Sequence, residues 1–161
     1  MSMFRSSGPH SGSRVLNALP GSRRVGLAKG AQGRVAVPQA GAQPLKTLLI
    51  LNDPPYGTER TYNGLRLAQT LLRKNAAMQL SVFLLADAVT AARKGQKTPE
   101  GFYNIEHMLK RLMASDARVL LCGTCMDARG IQQDDLIEGA QRSSMDDLAL
   151  ATLAADKVMA F

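Results

Sequence analysis

From residue 46 onward, apolar residues fall into two patterns: short unbroken runs, and stretches in which they recur every three or four positions. The runs at 47–51, 80–85 and 118–122 are mostly apolar, which is typical of strands buried on both faces of a parallel sheet. Between these runs, the spacing of apolar residues predicts helices at 58–75, with Thr58 as N-cap, and at 105–113. Strands and helices therefore alternate along the chain.

The rest of the chain predicts shorter elements of the same two kinds. They are an alanine-rich helix at 86–93, a helix at 134–139, a strand at 140–143, a helix from Ser144 to Ala155 and a final strand at 157–161. Ser144 and Asp147, three residues apart, form a capping-box pattern at a helix start. The alternation predicts an α/β fold of three layers, with a mostly parallel sheet of about five strands and helices on both faces.

Composition separates residues 1–45 from the rest of the chain. Residues 1–46 hold seven of the 20 Lys and Arg residues, seven of the 14 glycines and none of the 13 acidic residues. We therefore expect 1–45 to be a disordered basic leader, either an organelle transit peptide or an extension read from a misassigned start codon. Residues 46–161 are expected to form a single domain.

The uneven charge limits the classes of partner. The leader carries six of the seven net positive charges, so the predicted domain is close to neutral, and the chain has no Trp for base stacking. We therefore expect no direct nucleic-acid binding. No run approaches the roughly 20 apolar residues that span a bilayer, so we expect no membrane association and a cytoplasmic location, or an organelle if the leader is a transit peptide.

Two loops follow the carboxyl ends of predicted parallel strands, where such sheets form their binding sites. The loop after the first strand contains Pro54-Pro55-Tyr56-Gly57, and we consider it as a substrate rim in which the Tyr56 hydroxyl donates to an anion. The alternative is a plain turn, which Pro and Gly favour. The other loop begins at Cys122.

Cys122 ends the third predicted strand and is followed by a predicted helical turn. A thiol acts as a nucleophile in its thiolate form, which a helix N-terminus favours. Gly123 lets backbone amides approach the sulfur, Thr124 continues the turn, and Arg129 brings positive charge that Asp127 opposes. The alternative is structural, because cysteine at the end of a core strand is often a small buried hydrophobe.

Cys125 makes a C-x-x-C pair with Cys122 and is in position to resolve a sulfur adduct or a disulfide. The spacing is also that of dithiol redox proteins, although there the motif follows an early strand. A zinc site needs four ligands, and His10 and His107 are the only histidines that could join the cysteines. We expect no metal, and no Walker loop or G-x-G-x-x-G motif indicates a nucleotide cofactor.

The segments P-Y-G-T at 55–58 and C-G-T-C-M-D-A-R-G-I at 122–131, placed after strands in this order, resemble the DsrE/DsrF-like family, whose fold is called YchN-like. The resemblance covers about residues 46–161. It implies that one cysteine accepts sulfane sulfur as a persulfide and passes it from a donor protein to an acceptor protein. Matched by its distance to the Arg-Gly pair, that cysteine is Cys122, and the resemblance also implies a homotrimer or homohexamer.

The chain departs from the relay subunits of that family by having Cys125, and by having Met126-Asp127 in place of a more apolar stretch. Three functions therefore stay open. The first is a sulfur-relay protein, in effect a sulfurtransferase, with Cys122 and Cys125 as reactive residues and with Tyr56, Gly57, Gly123, Thr124 and Arg129 at the substrate. The second is a dithiol redox protein, and the third is a non-catalytic oligomeric scaffold of the same fold.

Overall fold

The computed structural model describes residues 43–161. The prediction of a disordered leader concerns residues 1–45 and so lies almost entirely outside the described residues.

The centre of the fold is a five-stranded sheet in which every described pairing is parallel. Its strands are β1 (Lys46–Leu51), β2 (Gln79–Leu84), β3 (Arg118–Cys122), β4 (Gln141–Ser143) and β5 (Lys157–Ala160). Their spatial order is β4-β3-β2-β1-β5. Because β1, β2 and β3 are the inner strands, they are the apolar runs, and the short, more polar β4 lies at an edge. The predicted fold class is confirmed.

The connections contain α1 (Arg60–Lys74), α2 (Ile105–Met113), α3 (Gly123–Asp127) and α4 (Met145–Ala154), with 3-10 turns at Ala86–Ala92 and Gln133–Asp135. The first three crossovers each step one strand in the same direction, whereas α4 leads the chain back across the sheet. Since parallel crossovers are right-handed, α1 and α2 cover one face and α4 the other. Phe83 and Leu49 are fully buried between these layers.

Two predicted helix starts have different outcomes. At α4, Ser144 is the N-cap, and its side chain and that of Asp147 form the predicted capping box. At α1, the N-cap is Glu59 rather than Thr58. The Thr58 hydroxyl donates instead to the carboxylate of Asp53, at 2.8 Å, so it is engaged in the preceding loop. The predicted helix at 134–139 is reduced to a single 3-10 turn.

Helix α4 differs from the other helices because most of its apolar residues face outward. Leu148 is its one buried residue, while Leu150 and Leu153 are 65% and 85% exposed and Met145 is exposed as well. The neighbouring edge strand β5 adds the exposed Val158. We call these four exposed residues, Met145, Leu150, Leu153 and Val158, the α4 patch. Among the helices of the described residues, none is long and apolar enough to cross a membrane.

Candidate functional site

Cys122 lies where β3 ends and α3 begins, as the sequence predicts. It is the last residue of β3 and the N-cap of α3, and both cysteines are free thiols. The side chain is only 3% exposed. The thiol is therefore placed at the carboxyl edge of the sheet but covered by its surroundings.

Hydrogen bonds favour ionisation of the Cys122 thiol. Burial opposes the thiolate, but interactions with the Thr124 hydroxyl, the Cys125 thiol and the backbone N–H groups of both residues outweigh it, so the pKa of Cys122 lies below its ordinary value. The Thr124 Oγ1 is 3.2 Å from the Cys122 Sγ. Thr124 thus contacts the sulfur through its side chain, a role that the sequence pattern did not assign to it.

Cys125 is half-buried and has the opposite tendency. Burial and the neighbouring Cys122 thiol raise its pKa, although a hydrogen bond from the Ala86 N–H and the charge of Arg129 act against the rise. The Ala86 N–H donates to the Cys125 Sγ at 3.3 Å. Ala86 has a φ of +46°, a conformation that costs a non-glycine residue about 1 kcal/mol or more. The two thiols are therefore inequivalent, with Cys122 the more acidic.

Arg129 is directed at Cys125 and not at Cys122. Its Nε and Nη2 donate to Asp87 Oδ1 at 2.9 and 2.7 Å, and its Nη1 donates to the Cys125 carbonyl oxygen at 2.9 Å. Asp87 belongs to the 3-10 turn that also contains Ala86. Arg129 therefore joins this turn to α3 and holds Cys125 against the Ala86 N–H.

The cation that acts on Cys122 is Arg142, which the sequence analysis missed. Its guanidinium forms two hydrogen bonds with the Asp127 carboxylate, at 2.7 and 2.6 Å. The pKa of Arg142 is raised mainly by Asp127, and the Cys122 thiolate adds to the rise. The guanidinium lies over Gly123, where a Cβ would come within 2.9 Å of the Arg142 Nε. Gly123 thus leaves room for Arg142, in addition to the close approach of amides that the sequence suggested.

Tyr56 and Gly57 are not joined to Cys122 by any contact that the structure describes within residues 43–161. The Tyr56 hydroxyl donates to Gln96 Oε1 at 2.6 Å and accepts the backbone N–H of Ile105 at 3.2 Å. Its ring stacks on Tyr103. Gly57 has a φ of +101°, which a turn at this position requires. The contacts described for Tyr56 thus tie the loop after β1 to the start of α2.

We expect Tyr56→Phe to destabilise the domain by about 1–3 kcal/mol, because it leaves the buried N–H of Ile105 and the side-chain oxygen of Gln96 without the Tyr56 hydroxyl as partner. Urea unfolding followed by far-UV circular dichroism measures the change. Tyr62→Phe is the matched control. The Tyr62 ring stacks on Tyr103 at 3.9 Å, and its hydroxyl makes no hydrogen bond within the described part of the chain. Equal unfolding midpoints for the two variants would show that the Tyr56 hydroxyl is not structural.

The described residues contain no group of three or more Asp, Glu, His or Cys side chains arranged to hold a metal ion. The site consists instead of two thiols, a hydroxyl, several backbone N–H groups and two arginines, each already paired with an aspartate. This set of groups can stabilise an anionic sulfur species.

Comparison with known proteins gives consistent matches. Residues 46–161 match the profile of the DsrE/DsrF-like family. Protein YchN of Escherichia coli strain K12 is 46% identical over 116 residues, which are 72% of this chain and 98% of that protein. An uncharacterised protein of Methanocaldococcus jannaschii is 38% identical over 117 residues, 73% of this chain and the whole of its own.

Two solved structures share the fold. The crystal structure of the E. coli YchN protein superposes with a TM-score of 0.70 at 45% identity, covering 73% of this chain and 99% of its own. A protein of unknown function from Methanobacterium thermoautotrophicum superposes with a TM-score of 0.59 over the same share of this chain and 99% of its own. At 16% identity the second similarity concerns the fold alone.

Proposed function

This chain belongs to the DsrE/DsrF-like family, and from that premise we propose that it is a sulfur-relay protein, which accepts sulfane sulfur as a persulfide on Cys122 and passes it to a partner protein. The observation that carries the proposal is the setting of Cys122. Its thiol lies at the junction of β3 and α3, in contact with the Thr124 hydroxyl and with its pKa lowered. A thiolate is the form of cysteine that attacks sulfur.

The transfer needs two balanced steps. The Cys122 thiolate attacks the outer sulfur of a donor persulfide, R–S–SH, so that a new S–S bond forms on Cys122 and the donor leaves as R–S⁻. A thiolate of the acceptor then attacks the same outer sulfur and releases Cys122 as a thiolate. No net oxidation occurs in either step, and the transfer uses neither a metal nor an organic cofactor.

The groups around Cys122 support the anionic forms in this cycle. Backbone N–H groups of Thr124 and Cys125 and the Thr124 hydroxyl already lower the pKa of Cys122. Arg142 contributes a positive charge from β4. Because Cys122 is 3% exposed and Thr124 is exposed, we expect docking of a partner to shift Thr124 and uncover the sulfur.

We also propose that copies of this chain associate through the α4 patch. Apolar side chains exposed together on one helix are typical of an interface, and Leu150 and Leu153 are left uncovered here. A homo-oligomer, as the family resemblance implies, would cover them. The sulfur donor and acceptor proteins would then dock at the carboxyl ends of the strands, near Cys122.

The test is intact-mass spectrometry after incubation with glutathione persulfide and removal of the excess reagent. We expect Cys125→Ser to gain about 32 Da, the mass of one sulfur atom, because it keeps Cys122 and cannot form a disulfide within the chain. We expect Cys122→Ser to gain nothing. A coupled assay with a thiol acceptor should then return Cys125→Ser to its original mass.

Each alternative function predicts a different result. A dithiol redox protein would lose about 2 Da on oxidation, depend on both cysteines, and take up no sulfur in Cys125→Ser. A non-catalytic scaffold would show no adduct in any variant, and its thiols would react no faster than free cysteine at pH 7. Either result would exclude the relay.

A further inference from the structure

We propose that Cys125 discharges the Cys122 persulfide as hydrosulfide and closes a Cys122–Cys125 disulfide, so that the protein releases sulfide when no acceptor takes the sulfur. The proposal rests on the proposed function, because it begins from a persulfide on Cys122. It assigns Cys125 an activity separate from transfer to a partner.

The spacing of the two cysteines places them close enough to form a disulfide. Cys122 is the N-cap of α3 and Cys125 its third residue, so their Cβ atoms are neighbours on one helix face, about 5–6 Å apart. A disulfide needs a Cβ separation of about 3.5–4.5 Å. A tightening of the five-residue helix α3 by about 1–2 Å would therefore bring the Cys125 sulfur to the Cys122 Sγ, which is the inner sulfur of the persulfide. The two thiols already interact, because a side-chain hydrogen bond with Cys125 contributes to the lowered pKa of Cys122.

A second observation fixes the Cys125 sulfur in place. The Ala86 N–H donates to it at 3.3 Å, and this requires the left-handed conformation of Ala86. The Arg129–Asp87 pair holds the Ala86 turn against α3, and the Arg129 guanidinium also binds the Cys125 carbonyl oxygen. An N–H group and a cation thus face Cys125 as they would face a thiolate.

The step balances without an external oxidant. The Cys125 thiol loses its proton to water, and its thiolate attacks the Cys122 Sγ of Cys122–S–SH. The bond between the two persulfide sulfurs breaks, and the outer sulfur leaves with the bonding pair as HS⁻. The Cys122 sulfur stays in an S–S bond throughout, the Cys125 sulfur is oxidised from thiolate to disulfide, and the outer persulfide sulfur is reduced to hydrosulfide. A thiol reductant, such as glutathione, returns the disulfide to two thiols.

The experiment follows the full-length protein after loading with glutathione persulfide and rapid desalting. We expect the wild-type adduct of about 32 Da to decay at least about tenfold faster than that of Cys125→Ser. The wild-type product should be about 2 Da lighter than the reduced protein, with one equivalent of sulfide detected as methylene blue. Peptide mapping should find the Cys122–Cys125 disulfide. Serine is isosteric with cysteine, so the control variant keeps the packing around Ala86.

Two results would overturn the inference while the relay stands: equal adduct lifetimes without sulfide release, or a stable extra sulfur mapped to Cys125, which would mean attack on the outer sulfur. Absence of any adduct in Cys125→Ser would instead overturn the proposed function.

The pH dependence of the discharge rate gives a further readout. Because the groups facing Cys125 (Cys122, Arg129, Asp87 and the Ala86 N–H) leave its pKa raised, discharge should accelerate from pH 7 to pH 9. A discharge rate independent of pH would contradict attack by the Cys125 thiolate.

Discussion

The double substitution Leu150→Asp and Leu153→Asp is expected to convert the protein from an oligomer into a monomer. Both leucines lie on α4, three residues apart, and are 65% and 85% exposed in the single chain. Burying the two side chains in an interface contributes about 3–6 kcal/mol of association free energy. Two carboxylates would lose that contribution and would also resist transfer out of water. The dissociation constant should therefore rise by at least about two to four orders of magnitude.

Sedimentation velocity on the full chain, over a series of concentrations, measures this change. Phe102→Asp is the matched control, because Phe102 is also a large apolar residue, 69% exposed, but lies outside the α4 patch. It should leave the oligomer intact. A wild-type chain that sediments as a monomer at every concentration would contradict the proposed interface, and so would a double variant that keeps the wild-type sedimentation coefficient.

Local patterns were enough to predict most of the fold. The strand runs at 47–51 and 118–122 are buried on both faces, so continuous apolar sequence identifies them without knowledge of their neighbours. The capping box of Ser144 and Asp147 is a contact over three residues, and it forms as the sequence indicates. The strand-end position of Cys122 followed in the same way, because it depends only on where a run stops.

The electrostatics of the site could not be predicted in this way. Arg142 reaches Gly123 because β4 pairs with β3 in one register, and a three-residue edge strand carries no pattern that fixes a register. The sequence offered Arg129 as the neighbouring cation, since it lies seven residues from Cys122. The structure turns Arg129 toward Asp87, 42 residues away, which no local spacing can indicate. Contacts between segments that are distant in the sequence therefore place Arg129 near Cys125 and Arg142 near Cys122.

The substitution Arg142→Glu is expected to raise the pKa of Cys122 and so to slow its reaction with iodoacetamide at pH 7, by up to about 10-fold. The positive charge of Arg142 favours the Cys122 thiolate, and a carboxylate in its place would disfavour it. Because the pKa of Cys122 is lowered in the native protein, the alkylation rate should fall as pH drops through a midpoint below that of free cysteine. In the variant this midpoint moves to higher pH. The pH profile of the alkylation rate is measured between pH 5 and 10 in a Cys125→Ser background, by quenching the reaction at set times and recording the intact mass.

Two controls separate the local charge from other effects of this substitution. Arg142→Lys keeps the positive charge and should keep the midpoint near that of the parent. Arg73→Glu makes the same change in net charge at the last turn of α1, which leads into β2 at the opposite end of the strands, and should also leave the midpoint in place. Gly123→Ala tests the same contact without changing any charge. The added Cβ would displace the Arg142 guanidinium, so this substitution should also raise the pKa of Cys122. If Arg142→Glu and Arg73→Glu give the same profile, Arg142 does not act on Cys122, and the thiolate depends on Thr124 and the backbone N–H groups of α3 alone.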